Sequence, residues 1–307
     1  MRVLVVGASG LIGRHVVSQL RERGHEVVTA ARTRREGVDH CLDAAAATVS
    51  TWRPVVEGCD GVVFAAGADD RAVPKRPVYP SLRAGNVDSV VTLLTAAREA
   101  GASAAVVLGS YFTHFHRAHP EWDLAGTHPY IRSRVEQADL GRAAAGPGLP
   151  VAVIEVPFVF GRAGERFPSW AEGLVKWVGG TSPLFAPPGG TAATTASAVA
   201  ESAVGALAAR SGADIPVVAE NLTWAQLIGR LAAAAGNPRP VRSLPPAVFR
   251  AAFTLAGLAY RLAGREPGLD AGHVGRLLLN TLHLDGPTGR SVDPAMAETV
   301  QAVRDKG

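Results

Sequence analysis

A short apolar run, Val3 to Val6, is followed at once by Gly7-Ala8-Ser9-Gly10-Leu11-Ile12-Gly13 and then by a helical pattern over residues 11–23. A strand that ends in a glycine turn and opens a helix brings backbone to where a side chain would otherwise stand. The first amides of that helix then face whatever lies beyond the strand end. The same texture continues: residues 26–30, 61–65, 104–108 and 151–155 read as short buried strands, separated by helices over 86–100 and 130–144. Near-continuous β-branched runs alternating with helices predict an α/β protein with a parallel, doubly wound sheet covered on both faces.

After Pro157 the chain turns to Gly-, Pro- and Trp-rich loops with helices expected over 196–210, 223–235 and 246–264, and one strand over 215–219 that returns to the sheet. The expected division is therefore residues 1–160, with 192–220 returning to them, and a smaller, interwoven, mostly helical region over 161–307. With 47% hydrophobic and 19% charged residues the chain has apolar material enough for a packed core and is no disordered polymer. The net charge of +4 comes without a basic patch, so no nucleic-acid partner is expected. Cys41 and Cys59 are too few for a disulfide framework and lack metal-site spacing, which suits a reducing cytoplasm. The apolar stretch 247–263 is interrupted by Arg250 and Arg261, and no membrane association is expected.

The spacing G-x-x-G-x-x-G between a strand and a helix fits a dinucleotide pyrophosphate, held by Gly7, Ser9, Gly10, Leu11, Ile12 and Gly13. At the end of the second strand, where a carboxylate would select NAD, the chain reads Arg32-Thr33-Arg34-Arg35. Guanidinium groups there, Arg32 and Arg34 foremost, can hold a 2′-phosphate, so NADP is expected over NAD.

Taken together these motifs resemble the extended short-chain dehydrogenases/reductases, the NAD(P)-dependent epimerase/dehydratase family with its Rossmann sheet, over nearly the whole chain. Asp43 resembles the residue that contacts adenine. Ala65-Ala66-Gly67 resembles the segment beside the cofactor, and Asn86-Val87 the pair that opens the next helix. Pro157-Phe158-Val159-Phe160-Gly161 resembles the turn near nicotinamide, with Glu155 where the family has arginine. Pro157 and Val159 are thus implied cofactor contacts, and Thr113, His114 and Phe158 implied substrate contacts.

The family's Tyr-x-x-x-Lys stands here as Tyr130-Ile131-Arg132-Ser133-Arg134. Four residues apart on a helix, the phenol and the cation share a face; Arg134 keeps the charge but cannot pass a proton on. The family's serine falls at Tyr111, with Ser110 one residue early, so either hydroxyl could polarise a substrate oxygen. His114, His116, His119 and His128 crowd the loop before Tyr130, but no carboxylate or cysteine completes a ligand set and no metal is expected.

The resemblance implies an NADP-dependent oxidoreductase acting on a carbonyl or secondary alcohol of a small molecule. The apolar residues Phe249, Phe253, Leu255, Leu258, Tyr260 and Leu262 resemble the dihydroflavonol-reductase/3β-hydroxysteroid-dehydrogenase branch and imply a largely apolar substrate. A non-redox cyclase, isomerase or lyase, or an NmrA-like redox-sensing regulator, would share the fold. Helices 86–100 and 130–144 correspond to the pair through which the family forms homodimers.

Overall fold

The computed structural model describes residues 1–71 and 73–306. In chain order the first elements are β1 (Arg2–Val6), α1 (Leu11–Glu22), β2 (Glu26–Ala31), β3 (His40–Cys41), α2 (Val49–Val56) and β4 (Gly61–Phe64). There follow α3 (Tyr79–Leu82), α4 (Ser89–Glu99), β5 (Ala104–Leu108), α5 (Phe112–Ala118), α6 (Leu124–Thr127), α7 (Pro129–Ala145) and β6 (Val151–Glu155). The chain continues through β7 (Phe158–Phe160), α8 (Ala171–Gly179), β8 (Leu184–Ala186) and β9 (Gly190–Thr195) to α9 (Ala196–Ala208) and β10 (Asp214–Pro216). It ends with β11 (Glu220–Thr223), α10 (Trp224–Ala234), β12 (Val241–Ser243), α11 (Pro246–Leu262), α12 (Ala271–Leu279), β13 (Thr281–Leu282) and α13 (Asp293–Lys306).

These elements form two compact units. The first comprises residues 1–69, 79–156 and 197–216. Its seven-stranded sheet runs β10-β6-β5-β4-β1-β2-β3, parallel throughout. The strands in the middle are buried on both faces because their residues are almost all Val, Ala, Leu, Ile or Phe. Trp52, Phe64, Leu93, Leu94 and Leu149 fill the layer on one side. From β1 the chain builds one way through β2 and β3, then crosses to β4 and builds the other way. This puts the reversal of strand order at β1/β4, the place where open parallel sheets bind ligands at their carboxyl ends.

The strand expected over 215–219 is realised as Asp214–Pro216, paired with β6. Proline at its third position removes the next ladder donor and ends it early. Asn86 does not open a regular helix as expected: it sits in a wide π-turn, Arg83–Asp88, between α3 and α4. Helices α4 and α7 pack against each other within the chain, and Gly141 makes the approach possible, since a Cβ there would lie 2.9 Å from Val90 Cγ1.

The second unit comprises residues 70–78, 157–196 and 217–307, of which Ala72 and Gly307 lie outside the described residues. A small sheet orders β11-β9-β13, with β7 also paired to β9, and β8 pairs with β12. Phe160, Val175, Val178, Leu184, Leu227, Leu231, Met296 and Val300 form its core. Helix α11 packs on α12 at Gly257, where a Cβ would meet the Gly272 backbone at 2.8 Å, while Leu255, Leu258 and Leu262 point outward, Leu262 being 81% exposed. Among the described residues no helix is long and apolar enough to cross a membrane.

Candidate functional site

The glycine turn between β1 and α1 is shaped for close approach. Gly7 takes φ +83°, and a Cβ on it would sit 2.7 Å from the Ala65 carbonyl; a Cβ on Gly13 would sit 2.1 Å from Gly7 O. The Gly7 and Ala8 amides donate to Ala30 O at 2.8 and 3.2 Å, pinning the turn to β2. Gly10 is the N-cap of α1 and places no side chain over the helix end, so the cradle fits a pyrophosphate on the N-terminal amides of a three-turn helix. Ser9, Leu11 and Ile12 line the same turn and are partly buried.

Beyond β2, Arg32, Arg34 and Arg35 are exposed, and among the described residues none is in an ion pair. The loop that carries them is held by Asp39, whose carboxylate accepts from Thr29 N (2.9 Å) and Thr29 Oγ1 (2.8 Å). Asp43, after β3, is exposed and accepts from the Ala45 amide at 3.1 Å.

A closed hydrogen-bond ring lies at the carboxyl end of β4. Asn86, fully buried, accepts from the Ala68 amide through Oδ1 at 2.8 Å and donates through Nδ2 to Ser133 Oγ at 3.0 Å. Ser133 Oγ donates to the Tyr130 carbonyl at 2.7 Å. Gln137 Nε2 donates to Asn86 O at 3.1 Å, and its Oε1 accepts from Arg134 Nη1 at 3.0 Å. Arg134 Nη2 reaches Ala68 O at 3.4 Å and Nη1 reaches Leu108 O at 3.4 Å.

The Nη atoms of buried Arg134 thus meet neutral oxygens, while its Nε is buried without a hydrogen-bond partner. Among the described residues no carboxylate pairs with it, and its guanidinium carbon lies 5.2 Å from the centre of the Tyr130 ring. No described residue hydrogen-bonds to the Tyr130 hydroxyl. Gly67 (φ +143°) is required here, because a Cβ on it would lie 2.8 Å from Asn86 Oδ1 and 3.3 Å from both Arg134 Nη atoms. Ala65 and Ala66 lead into it from β4. Ser133 and Gln137 were not singled out from sequence; their spacing of three residues along α7, Ser133 from Tyr130 and Gln137 from Arg134, was the available signal.

Ser110 and Tyr111 are both buried in the turn from β5 into α5, and Ser110 Oγ accepts from the Phe112 amide at 3.4 Å. Tyr111 packs its ring on Phe112 and Phe115, at 4.7 and 5.6 Å. The Thr113 hydroxyl is engaged by Ser110 O (2.7 Å) and Glu155 Oε1 (2.8 Å), which commits it to the protein interior. The histidines diverge: His114 turns to Glu155, His119 stacks on Trp122 at 4.0 Å, and His128 is buried at the N-cap of α7. Among the described residues no group of three or more His, Cys, Asp or Glu could hold a metal ion.

Pro157, Phe158 and Val159 belong to the second unit. There Phe158 lies in an aromatic cluster, 4.5 Å from Trp170, 5.5 Å from Phe160 and 6.3 Å from Trp224, and Val159 O accepts from Trp170 Nε1 at 3.3 Å.

Residues 7–154 match the family described as NAD(P)H-binding. The whole chain shares its Rossmann-like α/β fold with solved structures of low sequence identity. The crystal structure of gox2253 superposes with a TM-score of 0.78 at 19% identity, covering 99% of this chain and 98% of that one. Human epimerase family protein SDR39U1, solved with NADPH, gives 0.68 at 19% identity over 98% and 99%. The Bordetella bronchiseptica enzyme WbmH, in complex with NAD+, gives 0.68 at 16% identity over 100% and 99%. An uncharacterized protein of Schizosaccharomyces pombe is 37% identical over 81 residues, which span 24% of this chain and only 27% of that protein.

Proposed function

We propose that this NAD(P)H-binding protein is an NADP-dependent oxidoreductase acting on a carbonyl or secondary alcohol of a small, largely apolar substrate. The observation that carries this reading is the buried, carboxylate-free Arg134 against the Tyr130 ring, both on α7. A buried cation whose Nη atoms meet only neutral oxygens leaves a positive potential that favours a phenolate or another oxyanion nearby. A bound nicotinamide would supply a hydride acceptor or donor at C4.

In this reading Tyr130 gives a proton to the substrate oxygen during reduction and takes it back during oxidation. Arg134 stabilises the charge left on the phenol, and the Asn86–Gln137 ring keeps Arg134 from turning away. Either Ser110 or Tyr111 polarises the same oxygen. The uncompensated Arg32 and Arg34 support NADP over NAD.

The test supplies NADPH and a panel of aldehydes and ketones, following nicotinamide absorbance while product is read by mass spectrometry. Reduction that falls by roughly 10²- to 10⁴-fold in Tyr130→Phe, with NADPH affinity retained, is the expected result. Product formed with no redox change in substrate and no transient oxidation of bound NADPH would overturn it in favour of an isomerase or lyase. The transient matters because an epimerase can restore its cofactor within one turnover.

A further inference from the structure

At the carboxyl end of β6 stands Glu155, fully buried, on a strand otherwise made of Val, Ala and Ile. A carboxylate in such a place persists only with partners. One of its oxygens, Oε1, has two: Thr113 Oγ1 at 2.8 Å and Arg117 Nη2 at 2.5 Å, both from α5. Arg117 reaches on through Nη1 to Asp214 on β10 at 3.4 Å, and Asp214 is held by Arg142 Nη2 of α7 at 2.8 Å. The result is a row of alternating charges, Arg142, Asp214, Arg117 and Glu155, in which two cations balance two anions.

The row ends at the other oxygen. Oε2 is buried and has no hydrogen-bond partner, and the group that faces it is His114 Nδ1 at 3.5 Å. Thr113 and Arg117 already fasten α5 to β6, so holding the helix in place does not account for Oε2. An imidazole can satisfy that oxygen only with a proton on Nδ1. In the neutral ring this leaves the lone pair on Nε2, and the His114 side chain is 31% accessible.

We propose that Glu155 is a positioning residue that fixes His114 as its Nδ1–H tautomer, and that His114 Nε2 exchanges protons with an oxygen of the bound ligand or with water at the carboxyl end of the sheet. The step moves one proton between that oxygen and Nε2; the imidazolium formed lies against the Glu155 carboxylate, and nothing is oxidised or reduced. The inference rests on the reading of this sheet end as the reaction site. It supplies the group able to release a proton that Arg134, always charged, cannot be.

The test needs neither cofactor nor substrate, so it fails or succeeds apart from the oxidoreductase reading. The full chain is labelled with 15N-histidine, the His114 ring signals are identified by their loss in His114→Asn, and long-range 15N–1H correlations give the tautomer at neutral pH. The wild type is expected to show Nδ1–H. In Glu155→Met, which removes the acceptor and keeps the volume, His114 should shift to Nε2–H, and its carbethoxylation by diethyl pyrocarbonate, read by peptide mass spectrometry, should slow at least fivefold. Finding Nε2–H in the wild type overturns the proposal. So does an unchanged tautomer in a folded Glu155→Met protein. Should that variant not fold, the wild-type tautomer and its carbethoxylation rate relative to the eight other histidines decide alone; a His114 that reacts no faster than they do also overturns it.

Discussion

Asn86 and Arg134 grip the same residue from opposite ends: the Asn86 Oδ1 accepts the Ala68 amide at 2.8 Å, and Arg134 Nη2 donates to the Ala68 carbonyl at 3.4 Å. One peptide segment after β4 is thereby fixed by a π-turn on one side and by α7 on the other. Both groups are buried, so neither bond can be replaced by water at no cost. Asn86→Ala removes two buried hydrogen bonds and orphans the Ala68 amide. It should lower unfolding free energy by about 2–4 kcal/mol, measured by urea denaturation with cofactor absent.

The glycine cradle predicts a separation of binding from folding. A Cβ at Gly13 would lie 2.1 Å from Gly7 O, so Gly13→Val must push the turn away from its present path. Calorimetry should show dinucleotide affinity reduced by roughly 10²-fold or more, about 2.7 kcal/mol. The far-ultraviolet circular dichroism should stay that of an α/β protein. Retained affinity would mean that the turn serves packing only.

Cofactor choice is testable at β2. With Arg32 and Arg34 uncompensated, NADPH should bind at least tenfold tighter than NADH, about 1.4 kcal/mol. The double variant Arg32→Ala/Arg34→Ala should bring the two affinities together, chiefly by weakening NADPH. Raising salt should narrow the difference in the wild type, because exposed charges are screened. Equal affinities in the wild type would refute the assignment.

In the second unit, Lys306 on α13 and Lys176 on α8 both donate to Glu172, at 2.7 and 2.9 Å, and hold its carboxyl at about 2, against 4.5 for the free group. A depressed carboxyl stabilises the fold above its unfolded value and ceases to do so as pH falls through its folded one. The melting temperature should therefore lose this contribution between about pH 4.5 and pH 2. In Glu172→Gln that part of the acid dependence should be missing, and high salt should diminish it in the wild type, since the group is exposed.

Much of the first unit could be read in the sequence, because strand, glycine turn and helix each leave a local mark and β5 and β6 begin and end where the apolar runs do. The Asn86 π-turn left no such mark: its wide geometry is imposed by Gln137 and Ser133, which come from more than 45 residues away. The small sheet of the second unit was equally silent, since β9 reads Gly-Thr-Ala-Ala-Thr-Thr and has no alternation to betray it. Helix α11 misled in the other direction. Its Leu residues suggest a core or a pocket wall, yet tight packing at Gly257 sends Leu255, Leu258 and Leu262 outward. At the site, Tyr130, Arg134 and the glycines were visible as motifs. The burial of Glu155 against α5 was not, because a single acid at a strand end says nothing about which of its oxygens is spoken for.

The first unit returns for its last strand after a long excursion, so β10 and all but the first residue of α9 come from residues 197–216 while the other six strands precede residue 157. No single cut in the gene can release this unit whole. A fragment ending near residue 160 would expose the β6 edge, five residues with every one buried in the intact chain, as a bare template for pairing with another copy. Such a fragment should be recovered as aggregate, and swapping this unit between relatives of this architecture would require transplanting three separate stretches of chain at once.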